Sequence, residues 1–156
     1  MSDLPSIISQ NGSSSTLPSL GEKGEAFAAA FLERQGYRIV MSNFTAPVGR
    51  NSRGVQVTGE IDLIALEGET LCFIEVKTRR SDEIAGPLAN VNLRKQRQIT
   101  RTAKVYTRMF GLLEMQYRFD VVSVIAEKGL APHLELFRGF WSEAKFKKRA
   151  WSDVPY

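Results

Sequence analysis

The order of hydrophobic periods along the chain predicts an α/β fold, a central mixed β-sheet flanked by helices. Two long stretches carry apolar residues at helical spacing, Ser19–Gln35 and Asn92–Phe110. Between and after them lie runs with the two-residue period or continuous apolarity of strands. One of these, Leu71 to Thr78, is largely apolar on both faces, as a central strand covered on both sides would be. The implied order is helix, strand, hairpin, helix, strand, strand.

The chain has 156 residues, which suits one domain. No apolar run reaches the length of a membrane span, and the first residues lack the order of a secretory signal. Cys72 is the one cysteine, so no intrachain disulfide can form. These features together suggest a cytoplasmic protein without a membrane partner. Residues 1–18, with SQNGSSSTLPS, read as a disordered extension. Residues 19–141 read as the folded domain and 142–156 as a basic tail.

The first helix opens with a capping box, Ser19 and Glu22, and stops at Gly36. Glu25, Ala28, Ala29 and Leu32 fall at i, i+3, i+4 and i+7, which aligns the Glu25 carboxylate with an apolar face. YRIVM, residues 37–41, reads as a strand. Asn43 to Gly59 contains Pro47, Gly49 and Gly54 and reads as a long connection, with Arg50 and Arg53 available to a polyanion.

The stretch GEIDLIALEGETLCFIEVKTR, residues 59–79, reads as two strands joined at Glu67-Gly68-Glu69-Thr70. Pairing around that turn sets position i opposite 137 − i. Asp62 then faces Glu75, and Glu60 faces Lys77. Alternation further puts Glu60, Asp62, Ile64 and Leu66 on one face, and Leu71, Phe73, Glu75 and Lys77 on one face. Like charges placed opposite each other are destabilising on their own. A divalent cation between the two carboxylates resolves the conflict, and Mg²⁺ is commonly held by one or two carboxylates plus waters and phosphate oxygens. Lys77 adds a cation able to orient water or offset developing charge. A plain charge network at the sheet's end is the competing account.

Asn92 is the expected N-cap of the second helix, with Ile99, Ala103, Tyr106 and Phe110 as its apolar stripe. Lys95 precedes Ile99 by one turn and points toward the sheet. From Ile84 to Leu113 the chain holds no Asp or Glu, yet carries Arg94, Lys95, Arg97, Arg101, Lys104 and Arg108. A second basic cluster, Lys145, Lys147, Lys148 and Arg149, lies beside Phe146 and Trp151. Such clustering suits a phosphate-backbone binder and equally a solvated helix face. RFDVVSVIA, residues 118–126, reads as a strong strand and LELFRGF, residues 134–140, as a weaker one. His133 has no partner at metal-ligand spacing. Trp141 and Trp151 read as packing residues before base-stacking ones.

This constellation resembles the PD-(D/E)xK nuclease superfamily with its restriction-endonuclease-like fold. More closely, the chain is similar to the bacterial YraN-like family of predicted endonucleases, akin to archaeal Holliday-junction resolvases. GEKGEAFAAAFLERQGYRIVMSN, the GEID and EVKTR blocks, the Lys95 helix and RFDVVSV carry the similarity, from Gly21 to Ile125. The resemblance implies Asp62, Glu75 and Lys77 as the catalytic motif, with Glu25 as an added helix carboxylate. It implies Asp62, Glu75, Glu25 and the Val76 carbonyl as metal ligands. Lys95 and Gln96 lie where relatives place supporting polar groups, and Arg79, Arg94, Lys95, Gln96, Arg97 and Arg101 are the expected nucleic-acid contacts. The implied reaction is Mg²⁺-dependent hydrolysis of DNA, Mn²⁺ being a substitute, on branched or recombination and repair intermediates, by a chain that relatives suggest is a homodimer. The residues between Asn43 and Gly59 and the Ser-rich front depart from the family pattern. The alternative is a DNA-binding or recombination-accessory module that cuts nothing; a third reading is a protein-interaction module.

Overall fold

In a computed structural model, residues 17–83 and 91–147 are described. The expected disorder of the front extension and the basic cluster from Lys148 onward lie outside those residues. α1 spans Leu20–Arg34, β1 Tyr37–Arg50, β2 Gln56–Glu67, β3 Thr70–Arg80, α2 Leu93–Met109, β4 Tyr117–Ala126 and β5 His133–Trp141. A short 3₁₀ turn, Glu143–Phe146, follows. None of the described helices is long and apolar enough to cross a membrane.

The strands form one sheet in chain order, β1-β2-β3-β4-β5. Neighbours are antiparallel except β3 and β4, which run parallel and are joined through α2. A parallel pair needs a crossover of this kind. β3 is therefore the central strand, and Leu71 through Val76 are all buried. This is the mixed, helix-flanked α/β sheet of a restriction-endonuclease-like fold.

Each face of the sheet has its own core. Ala28 and Leu32 of α1 pack with Leu63, Ala65, Cys72, Ile74, Val76, Val122 and Val124. Ile99, Ala103 and Tyr106 of α2 pack on the other face with Ile61, Ile64, Phe73, Phe119 and Val121. Burying a side chain of Leu or Phe size stabilises by about 1.5–3 kcal/mol. Both helices start as their sequences require: Ser19 and Glu22 form the reciprocal capping box, and Asn92 accepts the Lys95 N–H.

The segment read as a connection from Asn43 to Gly59 is instead mostly strand. β1 continues to Arg50 and β2 begins at Gln56, so the chain forms a long hairpin. Pro47 is tolerated because β1 is an edge strand, and the register shifts between Pro47 and Gly49. Asn51 closes the tip, its Oδ1 accepting the N–H groups of Arg53 and Val55.

The far end of the sheet is fixed by an ionic network. Asp120, fully buried, accepts from Arg118 Nε at 2.7 Å, Tyr37 Oη at 2.9 Å and Gly139 N at 2.9 Å. Arg118 also reaches Glu67 at 2.9 Å, and Arg138 bonds Glu67 at 2.8 Å. β1, β2, β4 and β5 are thereby tied together around two carboxylates, Asp120 and Glu67, which Arg118 bridges. Trp141 is packed rather than presented: its ring stacks on Phe119 at 4.8 Å and its Nε1 donates to Thr100.

Candidate active site

The β2–β3 ladder runs Leu66↔Leu71, Ala65↔Cys72, Ile64↔Phe73 and Leu63↔Ile74, which is the 137 − i register, and there it stops. β2 goes on pairing with β1, while β3 goes on pairing with β4 as far as Arg80↔Ala126. The two hairpin strands therefore part, and the next residues, Asp62 and Glu75, stand at the mouth of the fork. Asp62 Oδ2 accepts the Val76 N–H at 2.8 Å, a side-chain bond where a ladder bond would otherwise sit.

Alternation along β2 breaks at the same place. Ile61 and Ile64 belong to the α2-side core, whereas Leu63 belongs to the α1-side core. The shared face expected for Glu60, Asp62 and Ile64 is thus interrupted at Asp62. β1 leaves the regular pleat at the same level: Asn43, between the pairs Ser42↔Leu63 and Phe44↔Ile61, has φ 53°, a left-handed conformation.

Glu75 is buried, with 3% exposure. It extends the Leu71–Phe73 series toward the α2 side, where Lys95 Nζ lies 3.7 Å from its Oε1. Its Oε2 meets no N–H donor, and it can bond Asp62 only through a proton held by one of the two carboxyls. Burial, and then repulsion from Asp62, push the carboxyl up to about 8, against the opposing pull of Lys95 and Lys77. Two carboxyls this close in a buried setting must share either a proton or a cation.

Glu25 reaches the fork from the other face. α1 can approach β3 closely because Gly24 has no side chain: a Cβ there would lie 1.8 Å from Thr78 Oγ1. Glu25 feels burial first, then Asp62, both raising its carboxyl, while a hydrogen bond with the Asn43 side chain lowers it. α2 is seated by the same device, since a Cβ on Gly59 would lie 1.9 Å from Thr102 Oγ1.

Lys77 is half-buried and pairs in register with Ser123 of β4, whose hydroxyl is buried without a partner. The fork therefore gathers Glu25, Asp62, Glu75 and Lys77, together with Lys95 at its rim. Among the described residues, no three His, Cys, Asp or Glu side chains close into a ready-made metal cage. The groups that could face a cation here are oxygens, the Asp62 and Glu75 carboxylates, a chemistry that fits a water-rich Mg²⁺ better than a caged Zn²⁺.

The expected nucleic-acid contacts divide. Arg94, Arg97 and Arg101 are exposed on α2. Arg79 donates to the Glu83 carbonyl at 3.1 Å. Lys95 turns to Glu75 and belongs to the carboxylate site. Gln96 is buried; its amide donates to the Val91 carbonyl and accepts from Lys145 Nζ at 3.1 Å, so it clips the 3₁₀ turn onto α2. Asn43 and Ser123 are the site residues that sequence reasoning missed. Neither side chain carries a spacing signal, and only the fold brings them to the fork.

A family model described as "Uncharacterised protein family UPF0102" matches residues 24–124. A UPF0102 protein of Alkaliphilus metalliredigens is 40% identical over 110 residues, covering 70% of this chain and 88% of that protein. One from Geobacter sulfurreducens is 41% identical over 116 residues, covering 74% and 83%. Another, from Chlorobium chlorochromatii, is 45% identical over 105 residues, covering 67% and 73%. The matched span opens at Gly24, beside the Glu25 carboxylate, and closes on β4, so the whole fork lies within it. The chain belongs to the UPF0102 family, the YraN-like group.

Proposed function

We propose that this chain is a metal-dependent endonuclease that hydrolyses phosphodiester bonds in DNA, with Mg²⁺ as its cofactor and Mn²⁺ as a substitute. One observation carries the reading: a buried Glu75 stands against Asp62 where two strands part, with no N–H donor on its Oε2 and with Lys77 on the same strand. Asp62, Glu75 and the Val76 carbonyl would hold the cation, and Glu25 would serve as a further ligand or as an acceptor for its water. A bound divalent cation supplies an acidified water and stabilises charge on the phosphoryl oxygens.

The chain's own groups do the rest. Val76 N–H fixes one Asp62 oxygen and so sets the carboxylate against Glu75. Lys95 lowers the cost of the Glu75 charge. The Lys77 ammonium orients the attacking water and offsets charge on the phosphoryl group. Glu25, raised by burial and by Asp62, is suited to exchange a proton with that water.

The test uses labelled single-stranded, duplex, flap and four-way-junction DNA with Mg²⁺, Mn²⁺ or EDTA. Wild type should cut at least one form, and EDTA or Glu75→Ala should abolish cutting while binding persists. Cutting by a folded Glu75→Ala variant at the wild-type rate would refute the assignment. The exposed cations of α2 favour a second reading, a DNA-binding accessory module, which binding without cleavage on every form would support.

A further inference from the structure

α2 carries a second feature that the carboxylate fork does not use. Arg94, Arg97, Arg101, Lys104 and Arg108 follow one another at spacings of three, four, three and four residues, and all are exposed. They form one straight ridge on the side of the helix opposite its buried residues, among them Ile99, Ala103 and Tyr106. From Arg94 to Arg108 the ridge rises about 21 Å, at about 1.5 Å per residue. It begins beside Lys95, which pairs with Glu75 in the fork, and runs away from it.

Like charges at i, i+3 and i, i+4 destabilise a helix by a few tenths of a kcal/mol per pair. Little within the described residues offsets this. One carboxylate pairs with the ridge, Glu143 on Lys104 at 2.9 Å, and none pairs with Arg94, Arg97, Arg101 or Arg108. The 3₁₀ turn that brings Glu143 also brings Lys145 and Lys147 alongside. Phe146 has the Arg97 guanidinium over its ring at 5.5 Å, so its face is taken. Among the described residues the ridge thus offers aligned charge without the aromatic stack that a single strand also uses.

We infer that the outer face of α2 is a track for the phosphate backbone of a DNA duplex arm leaving the carboxylate fork. The direction of the arm relative to the cut rests on the nuclease reading; the track itself does not. A duplex is straight over this length, and about 21 Å spans about six base pairs at about 3.4 Å each. Glu143 acts as an internal stand-in for phosphate on Lys104.

The experiment measures binding to a labelled 16-base-pair duplex and to a single strand of equal length, in EDTA, from 50 to 200 mM salt. Wild type, the triple variant Arg97→Ala/Arg101→Ala/Arg108→Ala, Glu143→Gln and Glu75→Ala are compared. Each lost phosphate contact removes about 0.9 from the slope of log K against log salt. The triple variant should lose about 2.7, and Glu143→Gln should bind tighter with a slope steeper by up to about 0.9. A triple variant with wild-type melting temperature and wild-type slope would overturn the track. Should that variant unfold, unchanged binding by Glu143→Gln overturns it instead. Equal affinity for the single strand would overturn the duplex assignment. Mg²⁺ cleavage by the same proteins separates the two claims. A wild type that binds with the expected slope but cuts nothing leaves the track and removes the nuclease; a cutting wild type with an indifferent triple variant does the reverse.

Discussion

The Asp62 carboxylate accepts the Val76 N–H at 2.8 Å, bonding to the strand next to Glu75 at the point where the β2–β3 ladder has just ended. A side chain thus completes a backbone position that the parting strands leave open. The same bond holds two carboxylates together in a buried setting. Their mutual repulsion helps make the fork sensitive to protons.

Glu75 is pushed up to about 8 from an ordinary 4.5, so the folded protein holds a proton there that the unfolded chain releases. The folded state binds more protons between those values, and its stability falls as pH rises through that window. Burial and Asp62 drive the fall, while Lys95 and Lys77 moderate it. Glu75→Gln keeps the shape without titrating. Denaturant unfolding at pH 5 and pH 8.5 should show a loss on the order of a few kcal/mol in wild type and a smaller one in the variant. Identical pH profiles would contradict a raised Glu75.

Gly24→Ala should act on stability and activity together. Its Cβ meets Thr78 Oγ1 at 1.8 Å and Thr78 Cβ at 2.8 Å, so α1 must lift from β3 and carry Glu25 outward. Overpacking of this kind costs about 1–3 kcal/mol. Thr78→Ala in the same chain should recover part of the melting temperature and part of the cleavage rate. No effect of Gly24→Ala on either would show that the contact does not set the helix position.

Arg118→Met leaves Asp120 fully buried without its cation. Removing one partner of a buried pair costs about 3–5 kcal/mol. Equilibrium unfolding should report a loss of that order, far from the carboxylate fork. A change within about 0.5 kcal/mol would mean that Tyr37 and Gly139 suffice to hold the carboxylate.

Much of this arrangement was legible in the sequence, for local reasons. The capping box, Asn92 and the period of α2 are short-range signals, and both helices stand within a residue or two of their expected ends. The turn at Glu67–Thr70 fixed the register that sets Asp62 against Glu75. Residues 43–59 read as a connection because Pro47 and Gly49 are breakers in a central strand yet admissible on an edge, and only Gly54 lies in a turn, at the hairpin tip. Which strand lies at the edge depends on the whole sheet. The broken pleat at Asp62 is matched by the left-handed Asn43 on the neighbouring strand, and Gln96 turns inward to bond Val91 and Lys145. Such features come from tertiary contact and leave no mark on spacing.

Binding of a divalent cation by Asp62 and Glu75 is read most directly by titration of Mn²⁺ at pH 8, followed by the loss of the free-ion paramagnetic resonance signal, with no need for cleavage. Wild type should take up Mn²⁺, with Mg²⁺ competing for the site, and folded Asp62→Asn and Glu75→Gln variants should each lose that uptake. Uptake by both variants equal to wild type, or none by wild type, would contradict it.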